Sequence, residues 1–89
     1  MEVTLTSTTI TIGYATPVVI HTDWVQSYDY DGTYYVFNYI EENICHRTVF
    51  TYAEVTSFNG GAVPSATDLD RDFTEFVAGG GVKVTIVYE

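Results

Sequence analysis

The stretch VVIHTDWVQSYDYDGTYYVFNYIE, residues 18–41, decides the fold. It reads as two strands and a tight turn. Over 18–28 the side chains divide by parity. Val18, Ile20, Thr22 and Trp24 share one face, and Val19, His21, Asp23 and Val25 share the other. Asp29-Tyr30-Asp31-Gly32 supplies the turn, because Asp-Gly accepts the positive φ that short hairpins require. The returning strand, 33–41, is apolar on both faces: Tyr34, Val36 and Ile40 on one, Tyr35, Phe37 and Tyr39 on the other. Such a strand belongs in the middle of a sheet, or one of its faces is an interface.

The pattern extends outward in both directions. Residues 3–12, VTLTSTTITI, are β-branched almost throughout. Their apolar parity switches from odd (Val3, Leu5) to even (Ile10, Ile12). One straight strand would send these to opposite faces, so a bulge or bend near Ser7-Thr8, or two short strands, is expected. Gly13 ends the run, and Pro17 holds the residue before it extended. After a turn at Glu42-Asn43, a fourth strand is expected over about 44–58. Val49, Ala53 and Val55 lie near one face, with Phe50 and Tyr52 on the other. Asn59-Gly60-Gly61 and Pro64 break the pattern.

A helix follows at about 67–78. Leu69, Phe73, Phe76 and Val77 recur at helical spacing, Ser65 or Thr67 offers an N-cap, and Gly79-Gly80-Gly81 terminates it. A last strand, 82–88, alternates Val82, Val84, Ile86 and Tyr88 against Lys83, Thr85 and Val87. The prediction is one α+β domain, 1–89: a mostly antiparallel sheet of five to six strands with the helix on one face. The alternative is a small β-sandwich or barrel with the helix plugging one end.

Charge narrows the function. The chain has 89 residues, three cations (Arg47, Arg71, Lys83) and twelve carboxylates, a formal charge of −9. Binding to a phosphate backbone needs clustered Lys and Arg, so direct nucleic-acid binding is not expected. No stretch approaches 18 apolar residues, which argues against a membrane-spanning helix. The start lacks the basic and apolar regions of a signal peptide, which predicts cytoplasmic synthesis, with incorporation into a virion as one destination. Cys45 is the only cysteine, so no intrachain disulfide supports the fold.

The candidate chemical motifs fail on spacing. Starting a calcium loop at Asp29 puts Tyr34 and Ile40 where Gly and Glu are required. Asp68, Asp70 and Asp72 diverge around a helix and cannot converge on one ion. Cys45 and His46 are adjacent on a strand and point to opposite sides, which breaks any Cys-His-Asp or zinc arrangement with His21 and Asp23. Cys45 reads as a small buried residue and His46 as a rim residue beside Arg47. The glycines at 79–81 follow a helix, whereas a phosphate loop precedes one. No enzyme, metal or cofactor is expected.

Two features point to protein contacts. Tyr28, Tyr30, Tyr34, Tyr35 and Tyr39 flank one hairpin, with Phe37 between them and Trp24 one strand away. Tyrosine joins apolar area to a polar tip and is enriched at interfaces. Asp68, Asp72 and Glu75 share one helix face and form a solvated acidic surface. The first expectation is a structural subunit of a larger assembly, self-associating or built into a virus or bacteriophage particle as a capsid-decoration or head–tail component. The second is an acidic inhibitor whose carboxylates occupy a nucleic-acid groove on a host protein.

Overall fold

The computed structural model describes residues 1–79, so the expected strand 82–88 lies outside the described residues. Within them the parity switch of 3–12 becomes a hairpin. β1 (Glu2–Leu5) and β2 (Thr9–Ile12) pair antiparallel, Val3 opposite Ile12 and Leu5 opposite Ile10. The reversal lets both parities reach one core: Val3, Ile10 and Ile12 are fully buried. β3 (Val18–His21) extends the sheet on the far side of β2, with Ile20 opposite Ile10.

The run 18–28 is not one strand. A 3-10 turn at Thr22–Trp24 breaks it, and β4 (Val25–Tyr30) continues in a second sheet. β4 pairs with β5 (Tyr34–Glu41), which pairs with β6 (Ile44–Thr51). The run 44–58 breaks in the same way. A 3-10 turn at Tyr52–Glu54 returns the chain to the first sheet, where β7 (Ser57–Phe58) runs parallel to β1. The expectation of one sheet with five to six strands is therefore corrected. The described residues form a four-stranded sheet, β3-β2-β1-β7, and a three-stranded sheet, β4-β5-β6, joined at two corners. Together with one helix they make a small α+β fold.

Local hydrogen bonds hold these corners, as expected where strands switch sheets through bends. At the first, the buried Thr22 hydroxyl donates to the Phe76 carbonyl at 2.6 Å. At the second, the Glu54 carboxylate accepts from the Thr51 N–H at 2.9 Å and from its hydroxyl at 3.0 Å. The corners also reset which side chains share a face. Val55 is buried with Phe50, while Val49 is exposed, so the grouping of Val49 with Ala53 and Val55 is corrected. A register shift between Val25 and Ser27 likewise lets both Val25 and Tyr28 reach the core.

The hairpin turns follow their sequences. Gly32 takes φ 94°, and Glu42 and Asn43 take φ 54° and 64°, the two positive angles of a tight two-residue turn. Asp31 accepts from the Thr33 and Tyr34 N–H groups, each at 2.8 Å. Those backbone bonds hold the Asp31 carboxyl below its ordinary value, and the Thr51 N–H does the same for Glu54.

The helix α1 (Ala66–Ala78) begins one residue before the expected start. Ser65 is its N-cap, accepting from the Asp68 N–H at 3.2 Å. Leu69, Phe73 and Phe76 are buried, and half-buried Val77 packs against them. The Phe73 ring stands edge-on to Tyr28, Tyr35, Phe37 and Phe50, with centroids 5.2–5.9 Å away and planes at 75–88°. Edge-to-face geometry sets the positive rim of one ring against the negative face of the next. Cys45, expected inside, is exposed, because its position opposite Ile40 puts it on the outer face of β6.

Truncating Phe73 to Ala should cost about 3–5 kcal/mol, a large share of the roughly 5–15 kcal/mol available to a small domain. Urea denaturation checks this as a lowered midpoint. A second prediction concerns acid. Asp31 and Glu54 have folded pKa values below their ordinary 3.8 and 4.5, so they stabilise the fold above those pH values. That contribution is lost as pH falls through the lower folded values. Thermal unfolding of Asp31→Ala/Glu54→Ala should show lower stability at neutral pH and a shallower decline below about pH 4 than the parent chain.

Candidate interaction surface

The aromatic hairpin faces mostly inward. Tyr35 and Phe37 are 0% exposed and Tyr39 is buried beside them. Tyr30 stacks on Tyr35, with centroids 4.3 Å apart and planes at 9°. Tyr28 lies against Phe37 at 4.8 Å. Trp24 is half-buried, its ring 4.3 Å from that of His21. Of the seven expected interface residues only Tyr34, 47% exposed, stands open to solvent.

The hydroxyls explain why tyrosine rather than phenylalanine fills several of these positions. Tyr28 donates to Asp70 Oδ1 at 2.6 Å, Tyr35 to the Ala66 carbonyl at 2.9 Å, and Tyr52 to the Pro64 carbonyl at 2.6 Å. Three phenols thus bind the segment 64–70 and fix how the helix enters the core. Burial pushes the Tyr28 hydroxyl well above the usual tyrosine value, and its bond to Asp70 and that carboxylate's charge push it further. Burial raises Tyr35 too, with the neighbouring Tyr30 hydroxyl as the next cause. Both remain neutral donors at any physiological pH.

The exposed surface of the hairpin is its other face. In β5 the side chains alternating with the buried set are Tyr34, Val36, Asn38 and Ile40. Register places Thr51, Val49, Arg47 and Cys45 of β6 directly opposite them. On the other side, Asp29 lies opposite Val36 and Ser27 opposite Asn38, with Asn38 Nδ2 donating to Ser27 Oγ at 3.0 Å. Tyr34, Val36, Ile40 and Val49 are the apolar members, and Val49 is 41% exposed. Arg47 and Asp29 are the only charges on this face among the described residues.

β6 also closes the three-stranded sheet without a further strand beside it among the described residues. On β6 the Val49 carbonyl accepts from the Tyr14 hydroxyl at 3.5 Å. Among the described residues, an edge of this length, without Pro or Lys, leaves backbone donors and acceptors open to another chain.

The acidic side chains lie elsewhere. The helix packs on the inner face of β4-β5-β6, so its carboxylates are on the opposite side of the sheet from Val36 and Val49. Asp68 pairs with Arg71 at 3.3 Å, and Asp70 is engaged by Tyr28. Asp72 and Glu75 line a groove of about 490 Å³ with Leu5, Phe58, Phe76 and Gly79. A smaller hollow of about 260 Å³ lies between β4 and the helix at Tyr28, Tyr30, Asp70 and Val77. The three expected acidic residues therefore divide between an ion pair and a groove wall.

The cysteine and histidines do not converge. The 3-10 turn removes His21 and Asp23 from a common strand face. His46 stacks on Tyr39 with centroids 5.3 Å apart and lies 4.0 Å from Glu41, while Cys45 is on the outer face. Among the described residues no three His, Cys, Asp or Glu side chains are placed to hold a metal ion, and no helix is long and apolar enough to cross a membrane.

Val49 and Arg47 are the surface residues that sequence reading missed. The signal was present in part. The two-residue turn at Glu42-Asn43 sets Glu41 opposite Ile44, which fixes Val36 opposite Val49. Removing one hydroxyl separates the inward from the outward tyrosines. Tyr28→Phe, which breaks a bond to a carboxylate, should lower stability by about 1.5–3 kcal/mol. Tyr34→Ala should stay within about 0.5 kcal/mol. Urea titrations of the two variants read the difference. Comparison with protein-family models, curated proteins and solved structures finds no match to this chain.

Proposed function

We propose that this chain is a non-enzymatic interaction protein, a small subunit of a larger protein assembly, that docks through the outer face of β4-β5-β6. The observation that carries this reading is the row Tyr34, Val36, Ile40 and Val49 beside the edge of β6, which has no further strand among the described residues. Apolar and aromatic side chains on a sheet face gain about 25 cal/mol for each Å² removed from water. The free edge offers main-chain hydrogen bonds to the same partner. The partner is a protein, either a further copy of this chain or another component of the assembly. The narrower form of the proposal is a capsid-decoration or head–tail subunit of a virus or bacteriophage, supported by the short Thr- and Val-rich strands and the small size.

The acidic-inhibitor reading draws on the charge of −9 and on Asp72 and Glu75. Its support is thinner, because Asp68 is paired with Arg71 and Asp70 with Tyr28. Salt separates the two readings. Raising ionic strength from about 0.1 M to about 1 M shortens the screening length from about 10 Å to about 3 Å. An apolar contact survives that change and a charge-steered one does not.

The test combines light scattering at two concentrations and two salt levels with a photo-crosslinking residue at position 49 or at position 75, in the cells or particles that contain the protein. Adducts from position 49 that persist at high salt are expected. They should disappear in Tyr34→Glu/Val49→Glu and remain in Asp68→Asn/Asp72→Asn/Glu75→Gln. Adducts from position 75 alone, lost in high salt, would transfer the function to the helix. A monomer at every condition with no adduct from position 49 would remove the docking face.

A further inference from the structure

The two charges on the outer face of β4-β5-β6 stand in a particular relation. Asp29 is on β4 opposite Val36, and Arg47 is on β6 opposite Asn38. They therefore lie on the two flanking strands, one to each side of the Phe37 level of β5. With strands about 4.8 Å apart and a rise of about 3.4 Å per residue, their Cα atoms are about 12 Å apart. Both side chains are exposed, and neither makes an ion pair among the described residues. Asn38, directly opposite Arg47, gives its amide N–H to Ser27. Arg71, the other arginine, is held by Asp68.

We propose that the partner on this face is a second copy of the chain, related by a two-fold axis that sets Arg47 of each copy against Asp29 of the other; the inference rests on the docking face proposed above. A two-fold interface has to be self-complementary, since each contact between two positions occurs twice with the copies exchanged. One cation and one carboxylate on opposite sides of a central point meet that condition. An axis over the Phe37 backbone that exchanges them runs between Val36 and Val49, so these valines meet their own copies. It makes the strands of the two sheets cross steeply, nearer the orthogonal than the aligned class of sheet packing. Packed sheets lie about 10 Å apart, a gap that an extended arginine and an aspartate span together. Charge also favours this approach. The chain carries −9 in all, whereas this face is balanced, so a second copy meets the least repulsion here. Three strands of six to eight residues cover about 15 Å by 25 Å, less than a standard interface, so dissociation in the micromolar range is expected.

Charge reversal gives the test. Sedimentation of the purified full chain, from micromolar to near-millimolar concentration, should show a monomer–dimer equilibrium. Asp29→Lys and Arg47→Glu should each weaken it at least about 10-fold, because either change puts two like-charged pairs into the interface. Both positions are exposed, so the variants should keep the urea midpoint of the parent. An equal mixture of the two should regain the dimer as a heterodimer, since each new charge then faces the opposite sign on the other chain. The double variant should regain it alone. Recovery on mixing cannot come from a repaired fold, because each chain keeps its own substitution. A parent chain that is monomeric throughout would overturn the proposal. So would a dimer indifferent to either reversal, or variants that stay apart when mixed. Crosslinking from position 49 in cells or particles separates this inference from the reading it rests on. Adducts to a different protein, with the purified chain monomeric, would overturn the second-copy assignment and leave the docking face standing. A monomer with no adduct from position 49 would remove both.

Discussion

The edge of the Phe73 ring, set against Tyr28, Tyr35, Phe37 and Phe50, is the contact on which the rest of the structure depends. Those four rings come from all three strands of one sheet, so a single helical side chain fixes β4, β5 and β6 against α1. The contact needs the helix at one height and rotation, and hydroxyl bonds set both. Tyr35 and Tyr52 hold the entry to the helix at Ala66 and Pro64, Tyr28 holds its first turns at Asp70, and Thr22 holds its last turn at Phe76. Polar groups at the margin thus determine an apolar centre. The buried Thr22 bond also satisfies a group whose burial unpaired would cost about 1–3 kcal/mol.

This inward use of aromatics determines what the surface can do. A strand presents alternate side chains to opposite faces, so committing Tyr35, Phe37 and Tyr39 to the core commits Tyr34, Val36, Asn38 and Ile40 to solvent. The opposing strand obeys the same rule, with Thr48 and Phe50 inside and Arg47 and Val49 outside. Since the helix and the four-stranded sheet occupy the inner side, the outer face has nothing of this chain over it among the described residues. The exposure of Val49 and Tyr34 is the direct consequence of burying their neighbours.

Much of this was legible in the sequence, and the limits have physical causes. Asp31-Gly32 and Glu42-Asn43 announced their turns because few residues accept positive φ. The helix was legible from Leu69, Phe73, Phe76 and Val77, and its N-cap to within two candidates, Ser65 and Thr67, of which the structure takes Ser65. The parity switch within 3–12 announced a bend or a break into two short strands, though not that the second strand runs back beside the first. The corners at 22–24 and 52–54 were not legible. Both runs keep enough apolar and β-branched residues to read as continuous strands, and what bends them is tertiary: a hydroxyl reaching Phe76, a carboxylate closing on Thr51. Missing the corners gave one sheet instead of two and put Val49 with Val55. It also hid the division among the tyrosines. Composition marks that hairpin as suited to an interface or to a core, and only the packing of Phe73 tells which rings lie inside.

The charge distribution gives the outer face its direction. A molecule with net charge −9 repels its own copies, which keeps a small chain with an open strand edge from pairing indiscriminately. At physiological ionic strength that repulsion is screened beyond about 8 Å, so it acts mainly where carboxylates come close to carboxylates. The helix brings Asp68, Asp70, Asp72 and Glu75 to one side of the sheet, and Glu41, Glu42 and Asp31 sit at or near the hairpin turns. The outer face has Arg47 and a single carboxylate, Asp29, beside the neutral Val36 and Val49. An approach from the helix side is therefore opposed for any acidic partner, and an approach onto Val36 and Val49 is the least opposed. The same arrangement that exposes the apolar row also makes it, under the proposed docking, the least opposed approach for an acidic partner.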